Sequence, residues 1–289
     1  MSNIFDLETP ENFNFSQTVN SHGWSQLLPF ESDHENLILS YVFTDENANN
    51  PVSATIGEAD GKLIIETGSA DFHEKILRDV RRILRFDEDL SKFYKILKSE
   101  KRLAWIAKKS AGRLLRSPTV FEDLVKTICT TNCSWSLTKA MVKNLVEKLG
   151  AETKDGKHAF PTAEAMASVP AEFYRTEIRA GYRSAYFAEL AEKAASGKLN
   201  PENWLDCDLP TTELKKEMKS IKGVGEYAAE NLLKLVGRYD GLALDSFLRS
   251  EFYKKHNHKN ACDDQQICDF YEKFGDWCGL AIWCDLTER

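Results

Sequence analysis

Asp245 follows the apolar run Leu242-Ala243-Leu244 and precedes the helical pattern that starts with Ser246-Phe247-Leu248. An aspartate so placed caps a helix by accepting a backbone N–H. Capping takes one oxygen; the other can face a cleft and offset positive charge developing on a bound molecule. Twenty residues before it lies Lys222-Gly223-Val224-Gly225, between two helical patterns. Two glycines flanking an apolar residue let the chain turn sharply without a Cβ penalty. The turn leaves backbone N–H groups pointing outward at the start of the second helix, where unpaired donors and the helix dipole favour a phosphate oxygen. Val224 is expected to tuck inward and pin the turn.

Other chemistry-bearing residues form weaker patterns. The seven cysteines (129, 133, 207, 262, 268, 278 and 284) are odd in number, and the last four are spaced C-x5-C-x9-C-x5-C without a close pair. That pattern fits free thiols, with neither a disulfide framework nor a metal centre. No histidine pair has metal-ligand spacing, and His256 and His258, in KKHNHKN, read as a solvated loop. Arg113 and Arg116, just before a helix, are open to two readings, phosphate contacts or solvated surface.

These residues need elements to hold them. Up to residue 70 the chain is strand-like, with FNFSQTVN, LILSYVF, VSATIG and KLIIET separated by turn-prone DENANNP and EADG. From Ala70 the period becomes helical, with Ile76, Val80, Ile83 and Leu84 on one face and arginines around the other. Further helices are expected over SPTVFEDLVKTICTT, LTKAMVKNLVEKLG (ending on Gly150 as a C-cap), YRSAYFAELAEKAASG, TELKKEMKSI, EYAAENLLKLV, DSFLRSEFYKKH and a terminal pair. The expected fold is mainly α (α+β): an N-terminal antiparallel β domain over residues 1–70, packed on a helical body over 71–289 with a helical hairpin at 210–236. No apolar run approaches the roughly 20 residues of a membrane-spanning helix. The N-terminus is acidic, without the basic and apolar regions of a secretory signal.

The net charge of −7 is unevenly spread. Residues 1–70 carry one Lys/Arg against 11 Asp/Glu, whereas residues 71–150 carry 18 against 10. Such asymmetry is compatible with a basic face on an acidic body, and equally with lysines and arginines that only solvate helices.

The hairpin KGVG-EYAAEN followed by LALDSF resembles the signature of the helix-hairpin-helix DNA glycosylases. The resemblance extends over residues 110–289. SPTVFEDLVKTICTTN is similar to the helix and turn preceding the wedge residue of 3-methyladenine and 8-oxoguanine glycosylases. YEKFGDWCGLAIWCDL is similar to the closing helix of the alkylbase branch, and SQTVNSHGWSQLLPF to the first strands of the β-domain. The resemblance implies Asp245 as catalytic carboxylate and Lys222, Gly223, Val224 and Gly225 as the phosphate-binding hairpin. It places Asn132 where the family fills the gap left by an extruded nucleotide. Tyr227 occupies the position at which bifunctional members carry a lysine nucleophile. Without that amine no Schiff base forms with the sugar, so no AP-lyase activity is expected. Tyr227 is the first candidate for the wall of a base pocket, followed by Trp135, Tyr182 and Trp283.

The implied activity is that of a monofunctional base-excision glycosylase acting on alkylated purines, with no cofactor or metal. Its implied partner is double-stranded DNA carrying a damaged base, bound by a monomer. The implied location is the cytoplasm, on the nucleoid of a bacterium, or the nucleus of a eukaryote. The alternatives are an 8-oxoguanine-type enzyme and a non-catalytic helix-hairpin-helix DNA-binding protein. Asp245 speaks against the latter, because a carboxylate in the cleft of a mere binder would only repel DNA.

Overall fold

The computed structural model describes residues 3–45, 50–69 and 72–288. Part of the DENANNP turn, and the helix start expected at Ala70, lie outside the described residues. The chain divides into two compact units, residues 1–87 with 113–203, and residues 88–112 with 204–289.

The first unit holds a five-stranded antiparallel sheet: β1 (Asn3–Glu8), β2 (Glu31–Asp33), β3 (Ile38–Phe43), β4 (Val52–Ala59) and β5 (Lys62–Thr67), in the order β1-β5-β4-β3-β2. Strands β4 and β5 form a hairpin with Ala59 opposite Lys62. Its two-residue turn works because Asp60 and Gly61 both adopt positive φ, 52° and 75°, the twist a tight hairpin requires. Alternating side chains, Leu39, Tyr41 and Phe43 on β3 and Leu63 and Ile65 on β5, are buried. Three of the four expected strands are therefore β3, β4 and β5. The fourth, FNFSQTVN, is instead a helix over Phe15–Val19, because Asn14 accepts the Gln17 N–H at 2.9 Å and caps a turn its alternation did not suggest. The SQTVNSHGW segment likewise forms helical turns rather than first strands. The first strand is the acidic Asn3–Glu8, read from sequence only as an N-terminus.

Helices His73–Ile83, Val120–Thr130, Trp135–Leu149 and Ser184–Ala195, with the shorter Ala163–Ala167 and Ala171–Thr176, also belong to this unit. The apolar stripe of the first is fully buried at Ile76, Val80, Ile83 and Leu84. Thr119 caps Val120–Thr130, and the two acids in its first turn do more than face the helix dipole. Glu122 accepts the Tyr41 hydroxyl and pairs with Lys126, each at 2.6 Å, and all three side chains are buried. Burial pushes the Glu122 carboxyl upward in pKa, against the pull of Lys126. Asp123 accepts from Trp24 Nε1 at 2.7 Å and from the Ser117 N–H at 2.9 Å. Arg113 is buried on the Arg85 carbonyl, and Arg116 donates to the Arg82 carbonyl at 2.7 Å. Both therefore brace backbone, which accounts for them better than either reading made from sequence. Gly150 does end its helix, though not in a left-handed cap, for its φ is −76°. A Cβ there would stand 1.9 Å from the Ala159 carbonyl oxygen.

The second unit contains helices Thr211–Lys219, Glu226–Leu235, Ser246–His256, Asp264–Tyr271 and Cys278–Leu286. Trp277 stacks between Phe93 and Tyr239, with ring centroids 5.4 Å apart on each side. His256 is not in a solvated loop: its side chain is 1% exposed and its Nε2 meets Asp285 Oδ2 at 2.7 Å. The Tyr271 hydroxyl donates to the same oxygen at 2.7 Å, and Arg102 donates to His256 Nδ1 at 2.8 Å. Burial alone raises the pKa of Asp285, but the bonds from His256, Tyr271 and Lys255 outweigh it and hold the carboxyl at about 2.

Candidate active site

The hairpin forms as the glycines suggest. Thr211–Lys219 ends at Ser220, and the turn passes through Gly223 at φ 92°, in the left-handed region. Val224 is buried and its N–H returns to the Ile221 carbonyl at 3.0 Å, which pins the turn. Gly225 caps Glu226–Leu235 without a side chain, and a Cβ on it would meet nothing within 4 Å. The first N–H groups of this helix therefore begin beside open space, with Lys222 exposed alongside. Glu226, in that first turn, is held by Lys215 and by Lys219, the latter at 2.6 Å. Lys219 is thus engaged within the hairpin.

Asp245 is the N-cap of Ser246–His256, and its Oδ1 accepts the Leu248 N–H at 2.7 Å. The side chain is half-buried, so the cap leaves part of the carboxylate open. Tyr227 belongs to its surroundings: burial, and then the negative charge of Asp245, hold the phenol pKa well above its ordinary value. The half-buried indole of Trp283 lies in the same unit, its ring centroid 5.9 Å from Lys234 Nζ. Lys234 itself is 2% exposed and donates to the Leu242 carbonyl at 2.9 Å. Burial lowers its pKa to about 8, against the charges of Glu230 and Asp245. Sequence reasoning gave Lys234 and Glu230 no site role. The signal was present in the run Leu232-Leu233-Lys234-Leu235-Val236, where a lone lysine inside apolar residues marks burial.

The remaining predicted residues lie in the first unit. Asn132 is exposed, at φ 46°, in the turn between Val120–Thr130 and Trp135–Leu149. Arg183 braces that turn through the Thr131 and Ile128 carbonyls. Tyr182, 53% exposed, stacks on the Arg183 guanidinium at 4.4 Å. Trp135 lies over Gly23, where a Cβ would stand 2.5 Å from the ring, and donates to Gln26 Oε1 at 3.0 Å. The structure thus groups Tyr182 with the Asn132 turn through Arg183, Tyr227 with Asp245, and Trp283 with Lys234. Two cavities in the first unit, of about 140 and 240 Å³, are lined by none of the predicted site residues. All seven cysteines are free thiols, with Cys129 and Cys284 buried.

No family model matches the chain. It is 27% identical over 156 residues to the N-glycosylase/DNA lyase of Saccharomyces cerevisiae, covering 50% of this chain and 41% of that protein. It is 26% identical over 165 residues to the DNA-3-methyladenine glycosylase of Bacillus subtilis, covering 55% of this chain and 54% of that one. The matched stretch spans about half the length of these curated relatives. Among solved structures, the 3-methyladenine DNA-glycosylase from Archaeoglobus fulgidus superposes with a TM-score of 0.76 at 17% identity, covering 98% of this chain and 99% of that one. The 8-oxoguanine glycosylase/lyase of Clostridium acetobutylicum gives 0.75 at 19%, covering 98% and 95%. The fold is that of the helix-hairpin-helix DNA glycosylases, with a small N-terminal antiparallel sheet and a mainly helical remainder. The resemblance to DNA glycosylases of the 3-methyladenine and 8-oxoguanine kinds agrees with what both curated relatives are and with the fold of both structures.

Proposed function

We propose that the chain is a monofunctional DNA glycosylase that hydrolyses the N-glycosidic bond of alkylated purines in duplex DNA. The observation that carries this reading is Asp245, which caps one helix with a single oxygen in the unit that also holds the phosphate-type hairpin. A base inside a duplex is out of reach, so the nucleotide must be extruded and the gap filled. The N–H groups after Gly225, with Lys222, hold the backbone, and exposed Asn132 fills the stack. As the C1′–N bond breaks, its electron pair leaves with the base and positive charge builds on the deoxyribose. The Asp245 carboxylate offsets that charge, and water adds to C1′. A purine alkylated at N3 or N7 is already a cationic leaving group, so no strong general acid is required. Tyr227 and Trp283 offer electron-rich faces on which a cationic base stacks, a contribution of roughly 0.5–2 kcal/mol. The protein acts as a monomer without cofactor, in the compartment that holds the DNA.

The likeness to a glycosylase/lyase of each kind favours one rival, an 8-oxoguanine-type enzyme. Tyr227 at the nucleophile position speaks for the monofunctional reading. The deciding experiment is a base-release assay on duplexes carrying 3-methyladenine, 7-methylguanine, hypoxanthine or 8-oxoguanine. Release of the methylated purines is expected. Release of 8-oxoguanine alone would replace the substrate assignment, and release of none would end the enzymatic one.

A further inference from the structure

The loop that delivers Asp245 is gripped at one peptide group. Glu230 and Lys234 are four residues apart on Glu226–Leu235 and so lie on one face of that helix. Glu230 Oε2 accepts the Ala243 N–H at 2.5 Å, and Lys234 Nζ donates to the Leu242 carbonyl at 2.9 Å. That N–H and that carbonyl belong to the same peptide unit, so a carboxylate and an amine hold its two poles.

The grip falls where the backbone needs it. Ala243 has φ 53°, a left-handed conformation that costs a non-glycine residue about 1 kcal/mol or more. It is fully buried, two residues before Asp245. Without a partner for its N–H, the segment would relax to an ordinary conformation and carry the Asp245 cap with it. The rest of the loop is backed by the terminal helix: the Gly279 N–H donates to the Tyr239 carbonyl at 2.7 Å, and a Cβ on Gly279 would stand 2.0 Å from the Gly241 carbonyl oxygen. Glu230 is itself held from behind by Lys215 of the first hairpin helix at 2.6 Å. One chain of contacts therefore joins the hairpin to the carboxylate loop.

The geometry points to Glu230 and Lys234 as positioning residues that clamp the Leu242–Ala243 peptide and thereby fix Asp245 for the reaction. The inference rests on the glycosylase reading for its catalytic half, and its structural half can be measured without any substrate. Amide hydrogen exchange of the wild-type chain should show Ala243 and Leu248 protected. In Glu230→Ala and Lys234→Met both amides should exchange at least about 10-fold faster, while Leu232, in the middle of the helix, stays as protected as before. On a 7-methylguanine duplex the single-turnover release rate should fall about 10- to 100-fold, as expected when a reacting group is misplaced. Affinity for a duplex with a tetrahydrofuran abasic analogue should change less than about 3-fold, on the view that phosphate contacts dominate affinity. Glu230→Gln keeps an oxygen for the Ala243 N–H and should recover most of the rate. Unchanged protection of Leu248 in both folded variants would overturn the clamp, and so would full release rates with protection lost. If the wild-type protein releases no base at all, the activity reading fails, and the exchange data alone decide the clamp.

Discussion

Replacing Asp245 by Asn keeps the size of the side chain and an oxygen able to accept the Leu248 N–H, and removes the charge. Base release by Asp245→Asn should drop at least about 100-fold, the usual cost of deleting one electrostatic stabiliser, with DNA binding kept or improved. Near-normal turnover would end the catalytic assignment. The absence of a lysine at position 227 gives a second expectation: borohydride should trap no covalent protein–DNA adduct, because no imine forms. Lys234 is the amine that most needs watching, since burial brings its pKa to about 8. Its amine is committed to the Leu242 carbonyl. An adduct that disappears in Lys234→Met would overturn the monofunctional reading and leave the fold standing. At this scale the cap formed by Asp245 was legible, because an aspartate between an apolar run and a helical pattern is an ordinary N-cap. The burial of His256 and Lys234 was not, because the partners that make burial tolerable, Asp285 and the Leu242 carbonyl, are remote in sequence.

The hairpin was the most legible element, since two glycines around one apolar residue leave the backbone few alternatives and Gly223 does take positive φ. Its expected role is testable at Lys222: reversal to Glu should weaken binding to all duplexes about equally, as a phosphate contact does. Binding that changes for one sequence only would speak against that role. The close approach of the terminal helix to the 239–241 loop predicts a different effect. Gly279→Ala would force a Cβ against the carbonyl oxygens of Gly241 and Tyr239, at 2.0 and 2.7 Å. A loss of about 1–3 kcal/mol is expected, typical of overpacking, and a thermal melt would register it. An unchanged melting temperature would mean that the loop yields freely. This tight spot could not be read from sequence, where Gly279 stands inside an ordinary helical pattern. The short helix at Phe15–Val19 was missed for a related reason: its Asn14 cap is a local signal that the alternation of FNFSQTVN masked.

For the molecule as a whole, the charge map predicts DNA affinity that falls steeply with salt through counterion release. Salt-insensitive binding would reduce the map to surface solvation. The structure also trims the count, because Arg85, Arg113 and Lys126 are buried within the first unit and cannot meet a phosphate. In the second unit Lys92, Lys95, Lys98, Lys101 and Lys108 remain exposed. Acid stability has its own signature. Asp285, held at about 2 against an ordinary 3.8, favours the folded state above 3.8, and that contribution is lost as pH falls toward 2. It amounts to about 2 kcal/mol, so Asp285→Asn should flatten acid unfolding over this window; an unchanged profile would assign the acid limit to other carboxylates.

The division of the chain bears on how it is made. Residues 88–112 leave the ribosome between two stretches of the first unit, yet they pack with residues 204–289. Phe93, fully buried in the finished protein and stacked on Trp277, must therefore wait for that ring while residues 113–203 are synthesised. Throughout that interval the nascent chain carries an apolar segment whose cover in the finished fold comes from residues 204–289. A pause in translation anywhere in that stretch would lengthen the interval and invite aggregation, whereas one well past residue 203 would come after all of the first unit has been made.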